Sequence, residues 1–438
     1  VSDVATEAYV VPDEPTPDME PVEAFRGRAR AWLAANMPPE CDGEGQRILP
    51  GRWDRERGLQ RTLFEGGFAG ICFPAEYGGQ GLSRAHQRAF TEESYPYDMP
   101  YALNVPTLGI LAATLIDYGT HEQKAEHLPK ILSGEALWVQ FLSEPSGGSD
   151  LAGCLTRADR DGDVWVLNGS KIWSSGAADA DWAMCLARTN WDVPKHRGLT
   201  MFLMEIHQPG VTVEQIRQVD GSMEFCQEFF DDVPIPAANV IGEVDDGWTV
   251  ASRLLVHERL ATGGGSPYTS GRSGAHDADD EDNVLLDVVR EQGRQGDAHV
   301  RQLVAEAHVR KVVHQQLTAR LSQGMSIGAM PPPTGSIMKL FAAMNVMRRV
   351  EIGLELSGPD AVTWPLGEGR GHSGELTTPG AQLGEYSLWR QGMSLGGGSN
   401  EIQRNIISER VLGLPREYAA DREVPYREVR RSGGTPRS

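Results

Sequence analysis

The sequence predicts an α+β fold in three blocks: an N-terminal helical domain, a middle antiparallel β-domain and a C-terminal helical bundle. Apolar residues recur at helical spacing up to about residue 136 and again after Gly247. Between these stretches lie five short apolar or alternating runs separated by Gly, Asp, Asn and Pro, with no room for a helix of ordinary length.

Residues 1–20 are acidic and carry Pro12, Pro15 and Pro17, so they are expected to lack fixed structure. The helical domain, 21–136, opens with Phe25, Ala29, Trp32 and Leu33 at helical spacing, and Pro38-Pro39 ends that run. Leu59, Leu63 and Phe64 continue the pattern, and segments 108–115 and 125–132 add further helices. The β-domain, 137–245, takes its strands from 164–167, 182–186, 199–206, 211–216 and 225–230. In the C-terminal domain, 246–415, helices are expected at 248–260, from Val300 through Leu321, at 337–354 and at 401–412. Gly263-Gly264-Gly265, followed by Asp277, Asp279, Asp280, Glu281 and Asp282, marks a mobile acidic insert near 263–298. Residues 416–438 form a charged, glycine-bearing tail expected to fray.

A chain of 438 residues that is 40% hydrophobic can bury a sizeable core. With 61 acidic against 41 basic residues and a formal charge of -20, it lacks the dense positive charge that a polyanion draws on, so nucleic acid is excluded as a partner. The five cysteines are scattered, with no Cys-x-x-Cys pair, which argues for reduced thiols and against a disulfide framework or a zinc site. No apolar run approaches a membrane span, and residues 1–20 do not resemble a signal peptide, so a soluble cytoplasmic protein is the expectation.

Residues 142–153 read Leu-Ser-Glu-Pro-Ser-Gly-Gly-Ser-Asp-Leu-Ala-Gly. Ser143 and Ser149 flank closely spaced glycines, so backbone N–H groups and hydroxyls can approach a flat polar ligand or a phosphate. Twenty residues on, Lys171-Ile172-Trp173-Ser174-Ser175 sets an aromatic ring among small hydroxyl residues, suited to stacking on a ring and bonding its edge. The bland alternatives are a plain β-turn at Gly148 and Ser149 and an ordinary core or interface tryptophan at Trp173.

Together with the runs 70–82 (Gly-Ile-Cys-Phe-Pro-Ala-Glu-Tyr-Gly-Gly-Gln-Gly-Leu), 118–124 (Tyr-Gly-Thr-His-Glu-Gln-Lys) and 397–407 (Gly-Gly-Ser-Asn-Glu-Ile-Gln-Arg-Asn-Ile-Ile), these motifs make residues 21–415 resemble the acyl-CoA dehydrogenase family. The resemblance implies a flavoprotein that binds FAD and an acyl-CoA substrate and passes electrons to an electron-transfer flavoprotein. Positions matching the family's flavin contacts are Gln140, Leu142, Ser143, Gly148, Ser149, Trp173 and Ser175, with Gly398, Ser399, Asn400 and Glu401 near the C-terminus. Ser149, Arg259 and Gly397 match substrate-side positions.

Acyl-CoA dehydrogenation needs a base for the α-proton opposite the acceptor of the β-hydride. In many family members the base is a Glu just before the Gly-Thr or Gly-Ser of the C-terminal motif; here that position is Gly397, which cannot abstract a proton. Other branches, isovaleryl-CoA dehydrogenase and actinobacterial enzymes of bulky or steroid acyl chains among them, carry it in a Glu-Arg pair on a C-terminal-domain helix. Residues 254–261 (Leu-Leu-Val-His-Glu-Arg-Leu-Ala) stand at that place, making Glu258 the candidate catalytic base, with a structural Glu258–Arg259 ion pair as the alternative. Glycines at 396–398 leave room for a branched or ring-bearing acyl chain.

The stretch 284–297 lacks the Arg-x-x-Phe segment with which family homo-oligomers reach a neighbour's FAD, so a homo-oligomer and a heterotetramer both stay open. Two other functions compete with a self-sufficient dehydrogenase: a non-catalytic partner subunit, and a flavin oxidase or monooxygenase on the same fold.

Overall fold

The computed structural model describes residues 9–39, 52–262, 265–270, 277–362 and 378–429. They divide into two compact units, one of Val1–Arg217, Met223–Gly274 and Ala420–Ser438, the other of Gln218–Ser222 and Ala275–Ala419.

In the first unit, the helix Val22–Asn36 buries Phe25, Ala29 and Leu33, one residue per turn along a single stripe. A helix over Arg84–Ser94, which hydrophobic periodicity did not single out, buries Ala85, Ala89 and Phe90. Its N-terminus corrects the reading of 1–20. The carbonyls of Pro12 and Asp13 accept from the N–H groups of Arg84 and Ala85 at 2.9 and 3.1 Å, satisfying orphan donors of the first turn. Val11 is buried, so residues 9–20 are fastened down, and 1–8 lie outside the described residues. The expected 108–115 and 125–132 helices fall within a π-helical segment Asn104–Ala112, a helix Ala113–Tyr118 and a helix His121–Leu132.

The middle sheet comprises β1 (Trp138–Phe141), β2 (Arg157–Asp161), β3 (Val164–Ser175), β4 (Trp182–Arg188), β5 (Leu199–Glu205), β6 (Val211–Gln215), β7 (Phe225–Pro236) and β8 (Val240–Ile241). Its order is β6-β7-β3-β2-β4-β5-β8, with β1 beside β4. The five expected strands are all present. The long β3–β7, β4–β5 and β6–β7 ladders are antiparallel, as expected, whereas β1 runs parallel to β4. Register there is fixed by Trp138 opposite Trp182, whose rings stack at 5.6 Å, and by Thr107 Oγ1, which bonds both the N–H and the carbonyl of Trp138.

The helix Gly247–Thr262 returns the chain to helical structure. It starts hard against β5, where a Cβ on Gly247 would lie 2.6 Å from the Thr200 carbonyl carbon. Farther along, Ala261 crosses Gly109 so closely that a Cβ on Gly109 would meet the Ala261 methyl at 2.8 Å.

Two segments depart from the sequence reading. Residues 421–429 do not fray: Tyr426 is fully buried in the first unit, and its N–H donates to the Val193 carbonyl at 2.9 Å. Nor is 263–298 wholly a mobile excursion. Its acidic run opens a helix, Asp277–Glu291, whose Leu285, Val288 and Val289 join Val300, Leu303, Ala307, Ile352, Leu356 and Leu383 in the second unit's core. The acids masked the apolar stripe that follows them. Residues 263–264 and 271–276 lie outside the described residues. The unit's other helices include Ala298–Ser326, Gly335–Ser357, Pro379–Trp389 and Asn400–Ile406, the first two and the last matching sequence expectations.

Leu285→Ala should therefore cost about 2–5 kcal/mol through lost burial and the cavity left behind, read as a lower urea midpoint for the second unit. A change within experimental error would return this segment to the status of a loop.

Candidate active site

The 142–153 loop leaves β1 and is fixed from beneath by Lys171 of β3. Lys171 is fully buried, and its Nζ donates to the Leu142 carbonyl at 3.0 Å and to Glu144 Oε1 at 2.9 Å. Glu144 also accepts the N–H groups of Leu155 and Thr156 at 2.7 and 2.9 Å. Burial alone would push this carboxyl up; the Lys171 charge and the two backbone donors instead hold it down at about 2. The far end of the loop is held by Arg188, which donates to the Ala152 and Cys154 carbonyls at 2.7 and 3.1 Å, and by the Tyr426 hydroxyl on the Gly153 carbonyl. The Arg188 guanidinium lies 3.8 Å from the Tyr426 ring centroid. None of Glu144, Lys171, Arg188 and Tyr426 was singled out from sequence.

With its ends held, the loop leaves its polar face outward. Gly148 and Ser149 are exposed and Ser143 is half-buried. A Cβ on Gly148 would stand 3.3 Å from Ser143 Oγ, so glycine keeps that hydroxyl accessible.

The second motif sits beside the first, because the Ile172 N–H donates to the Ser143 carbonyl at 2.9 Å. A β-bulge then makes Trp173 the extra residue between Ile172, paired with Gln227, and Ser174, paired with Cys226. Trp173 adopts φ of 68°, a conformation that costs a bulky side chain about 1–3 kcal/mol. The bulge turns its ring outward, 56% exposed, while Ser174 turns inward to donate to Glu228 Oε2 at 3.0 Å. Glu228 is buried, and that burial pushes its carboxyl up to about 7. Trp173 is thus no core tryptophan; its ring meets Phe225 edge-on at 5.8 Å and otherwise presents a broad exposed surface. Ser175 is exposed at the end of β3, and Leu142 is buried beneath the loop.

Glu258 comes from the Gly247–Thr262 helix and is half-buried. Gln140, on β1, donates from Nε2 to Glu258 Oε2 at 2.9 Å. Burial raises the Glu258 carboxyl above the ordinary carboxylate range, against the Gln140 hydrogen bond and the nearby Arg259 charge, which both lower it. One residue away, His257 Nε2 and Arg253 Nε meet Asp117 Oδ2 at 2.8 and 2.6 Å, tying this helix to Ala113–Tyr118. Burial pushes Asp117 up, but the bonds from His257 and Arg253 outweigh it and hold its carboxyl low. Arg259 itself is exposed. The amide oxygen of Gln140 is buried without a hydrogen-bond partner among the described residues. The exposed Trp173 face and the glycine-lined serines, set side by side by the Ile172–Ser143 bond, offer ring and hydroxyl groups of the kind a flat, polar, ring-bearing ligand takes.

The C-terminal motif belongs to the second unit. Gly397 and Gly398 have φ of 63° and 88°, and Gln403 Nε2 donates to both their carbonyls at 3.1 Å. Ser399 caps the Asn400–Ile406 helix through the Ile402 N–H, Asn400 donates to Ser394 Oγ at 3.3 Å, and Glu401 pairs with Arg404 at 3.3 Å. Among the described residues, no helix is long and apolar enough to cross a membrane. Cys72, Cys154, Cys185 and Cys226 are free and buried, with Cys41 outside the described residues.

Family models for the acyl-CoA dehydrogenase N-terminal, middle and C-terminal domains match residues 19–135, 140–233 and 245–412. The chain belongs to the acyl-CoA dehydrogenase family and is an oxidoreductase acting on acyl-CoA. It is 35% identical over 406 residues to acyl-CoA dehydrogenase IpdE1 of Mycobacterium tuberculosis, a match covering 91% of this chain and 99% of that one. Acyl-CoA dehydrogenase FadE26 of the same organism is 30% identical over 411 residues, covering 90% and 97%. Among solved structures, the Tcur3481-Tcur3483 steroid ACAD aligns with a TM-score of 0.72 at 26% identity, covering 91% of this chain and 99% of that one. The ChsE4-ChsE5 complex from Mycobacterium tuberculosis aligns with a TM-score of 0.66 at 28% identity, covering 92% and 100%.

Lys171→Met strands the buried Glu144 carboxylate and should cost about 3–5 kcal/mol at pH 7. Glu144 in the native protein contributes stability above its ordinary value of 4.5 and loses it as pH falls toward about 2. The variant's deficit should therefore shrink at pH 4, where an unpaired Glu144 takes up a proton; a deficit independent of pH, by urea unfolding, would contradict the ion pair.

Proposed function

We propose that the chain catalyses FAD-dependent α,β-dehydrogenation of an acyl-CoA thioester to the 2-enoyl-CoA, with Glu258 as the base. The observation that carries this reading is the Glu258 carboxyl itself: half-buried, raised above the ordinary range and held by a side chain of the strand that leads into the 142–153 loop. A carboxylate of raised pKa is a stronger base toward a weakly acidic α C–H, provided enough of it stays ionised near neutral pH. When bound, FAD would supply the acceptor for the β-hydride.

Ser143, Ser149 and the backbone around Gly148 are suited to bond the polar edge of a flavin, and Trp173 to cover a ring face and exclude water. Leu142 and Ser175 complete this unit's share, and the flavin contact that the resemblance implies for Gln140 gives way to its bond with Glu258. A flavin role for Gly398, Ser399, Asn400 and Glu401, and a substrate role for Ser149, Arg259 and Gly397, rest on the family resemblance. Arg259, exposed beside the base, has the charge to meet a CoA phosphate.

The substrate class we favour is a branched or steroid-derived thioester. Two observations support it: the glycine turn where many family members carry a carboxylate, and the similarity to a steroid ACAD over nine-tenths of the chain. Family membership makes an electron-transfer flavoprotein the expected electron acceptor. A shared flavin site with a non-identical subunit is the second reading of the assembly. It is favoured by the missing arginine motif in 284–297 and by the similarity to Tcur3481-Tcur3483 and ChsE4-ChsE5, each named as a pair.

Purified alone, a self-sufficient enzyme should carry yellow flavin that bleaches anaerobically with branched or steroid-derived acyl-CoA faster than with straight medium chains. Flavin bound only after a partner is added would establish the shared site, and rapid oxygen consumption would make it an oxidase. Glu258→Gln should retain flavin and slow its reduction by about 10²–10⁴-fold, the usual weight of a general base. Reduction at a near wild-type rate would remove Glu258 from the mechanism.

A further inference from the structure

We propose that Gln140 is the positioning residue of the base: its amide holds one carboxylate oxygen of Glu258 and leaves the other as the atom that takes the substrate proton. This inference rests on the reading of Glu258 as the base, and it gives Gln140 a task different from the flavin contact that the resemblance implied.

The geometry is one-sided. Gln140 Nε2 lies 2.9 Å from Glu258 Oε2, and no described residue donates to Oε1. A primary amide facing a carboxylate can only donate through its NH₂, so the Glu258 contact dictates which way the Gln140 amide is turned. Its oxygen then faces away from Glu258, where it is buried and unpartnered. Such an atom is costly to leave unbonded, so the orientation is upheld by the charge it serves.

Both ends of this contact are rigidly based. Gln140 sits in the middle of β1, opposite Met184 of β4 in a parallel ladder. Glu258 is one residue from His257, whose bond to Asp117 locks the helix face. Arg259 acts from its own helix, while on Ala113–Tyr118 the Asp117 carboxylate is taken up by Arg253 and His257 and burial pushes the Tyr118 hydroxyl up. The Asn104–Ala112 segment packed on this helix contains no ionisable side chain, β5 brings only Glu205, at its exposed end, and β4 brings Arg188, occupied beneath the loop, and the buried Cys185 thiol. Gln140 is therefore the neutral group that opposes desolvation of the base without neutralising it, as a second cation would.

Gln140→Met keeps length and bulk but removes the donor. The pH profile of anaerobic flavin reduction should move upward by about one unit, since a hydrogen bond to the charged form has been lost, with a roughly tenfold loss of rate on the acid limb and recovery at higher pH. Flavin content, read from absorbance, and the thermal midpoint should stay near wild type, as they would not if Gln140 chiefly held flavin or structure. An unchanged profile, or a rate loss that no rise in pH restores, overturns the inference, as does loss of flavin. Glu258→Gln measured in parallel separates the two claims. If that variant still reduces flavin, the base assignment fails first; if it does not and Gln140→Met is pH-neutral, only the positioning role fails.

Discussion

The buried contact between Lys171 and Glu144 is the constraint on which the site depends. An ammonium with no exposure to solvent is tolerable only where its charge and its donors are met. Here Glu144 supplies the charge and the Leu142 carbonyl takes a further bond, so β3 cannot bury Lys171 without drawing both ends of the Leu142–Glu144 tripeptide down upon it. Ser143, the residue between, is thereby held at the surface. Its carbonyl in turn anchors Ile172, next to Trp173. One ion pair thus sets the relation between the 142–153 loop and the Trp173 motif, and the bulge at Trp173 finishes the work by turning the ring out and Ser174 in.

Glu258 is placed by a different kind of constraint, that of close backbone approach. Gly247 brings the start of its helix against β5, and Gly109 lets Ala261 cross near the other end. With both ends seated and Asp117 gripping the face between, Glu258 has little freedom to swing away from Gln140. The desolvation that raises its pKa follows from that seating. The Gln140 hydrogen bond opposes that rise without reversing it.

Much of this was legible in the sequence, for identifiable reasons. Five strands of the β-domain announced themselves by short runs between turn residues, whereas Glu258 was singled out through the Glu-Arg pair that matches the family resemblance. The second layer was not legible. Lys171 and Glu144 lie 27 positions apart and look like ordinary surface charges until β1 and β3 are side by side, and Tyr426 bonds Gly153 across 273 positions. One local signal was available. Glu144 is followed by proline and a tight Gly/Ser loop, where a carboxylate is well placed to collect backbone N–H groups. The Asp277–Glu291 helix was hidden by composition, because the acidic run with which its sequence begins reads as a solvated loop. Helical periodicity becomes readable only from Leu285 onward.

Gly397 looked like a loss, a missing carboxylate in a family motif, and the backbone there gives it a different meaning. At φ of 63° and 88°, Gly397 and Gly398 occupy a left-handed turn that disfavours any L side chain by about 1–2 kcal/mol per residue. A glutamate at 397 would carry that strain in addition to needing its own desolvated seat. The carboxyl proposed as the base, the Gln140 amide bonded to it and the Gly/Ser loop all belong to the first unit. The glycine turn and the proposed base at Glu258 are therefore compatible: a left-handed backbone at 397 disfavours a carboxylate side chain there.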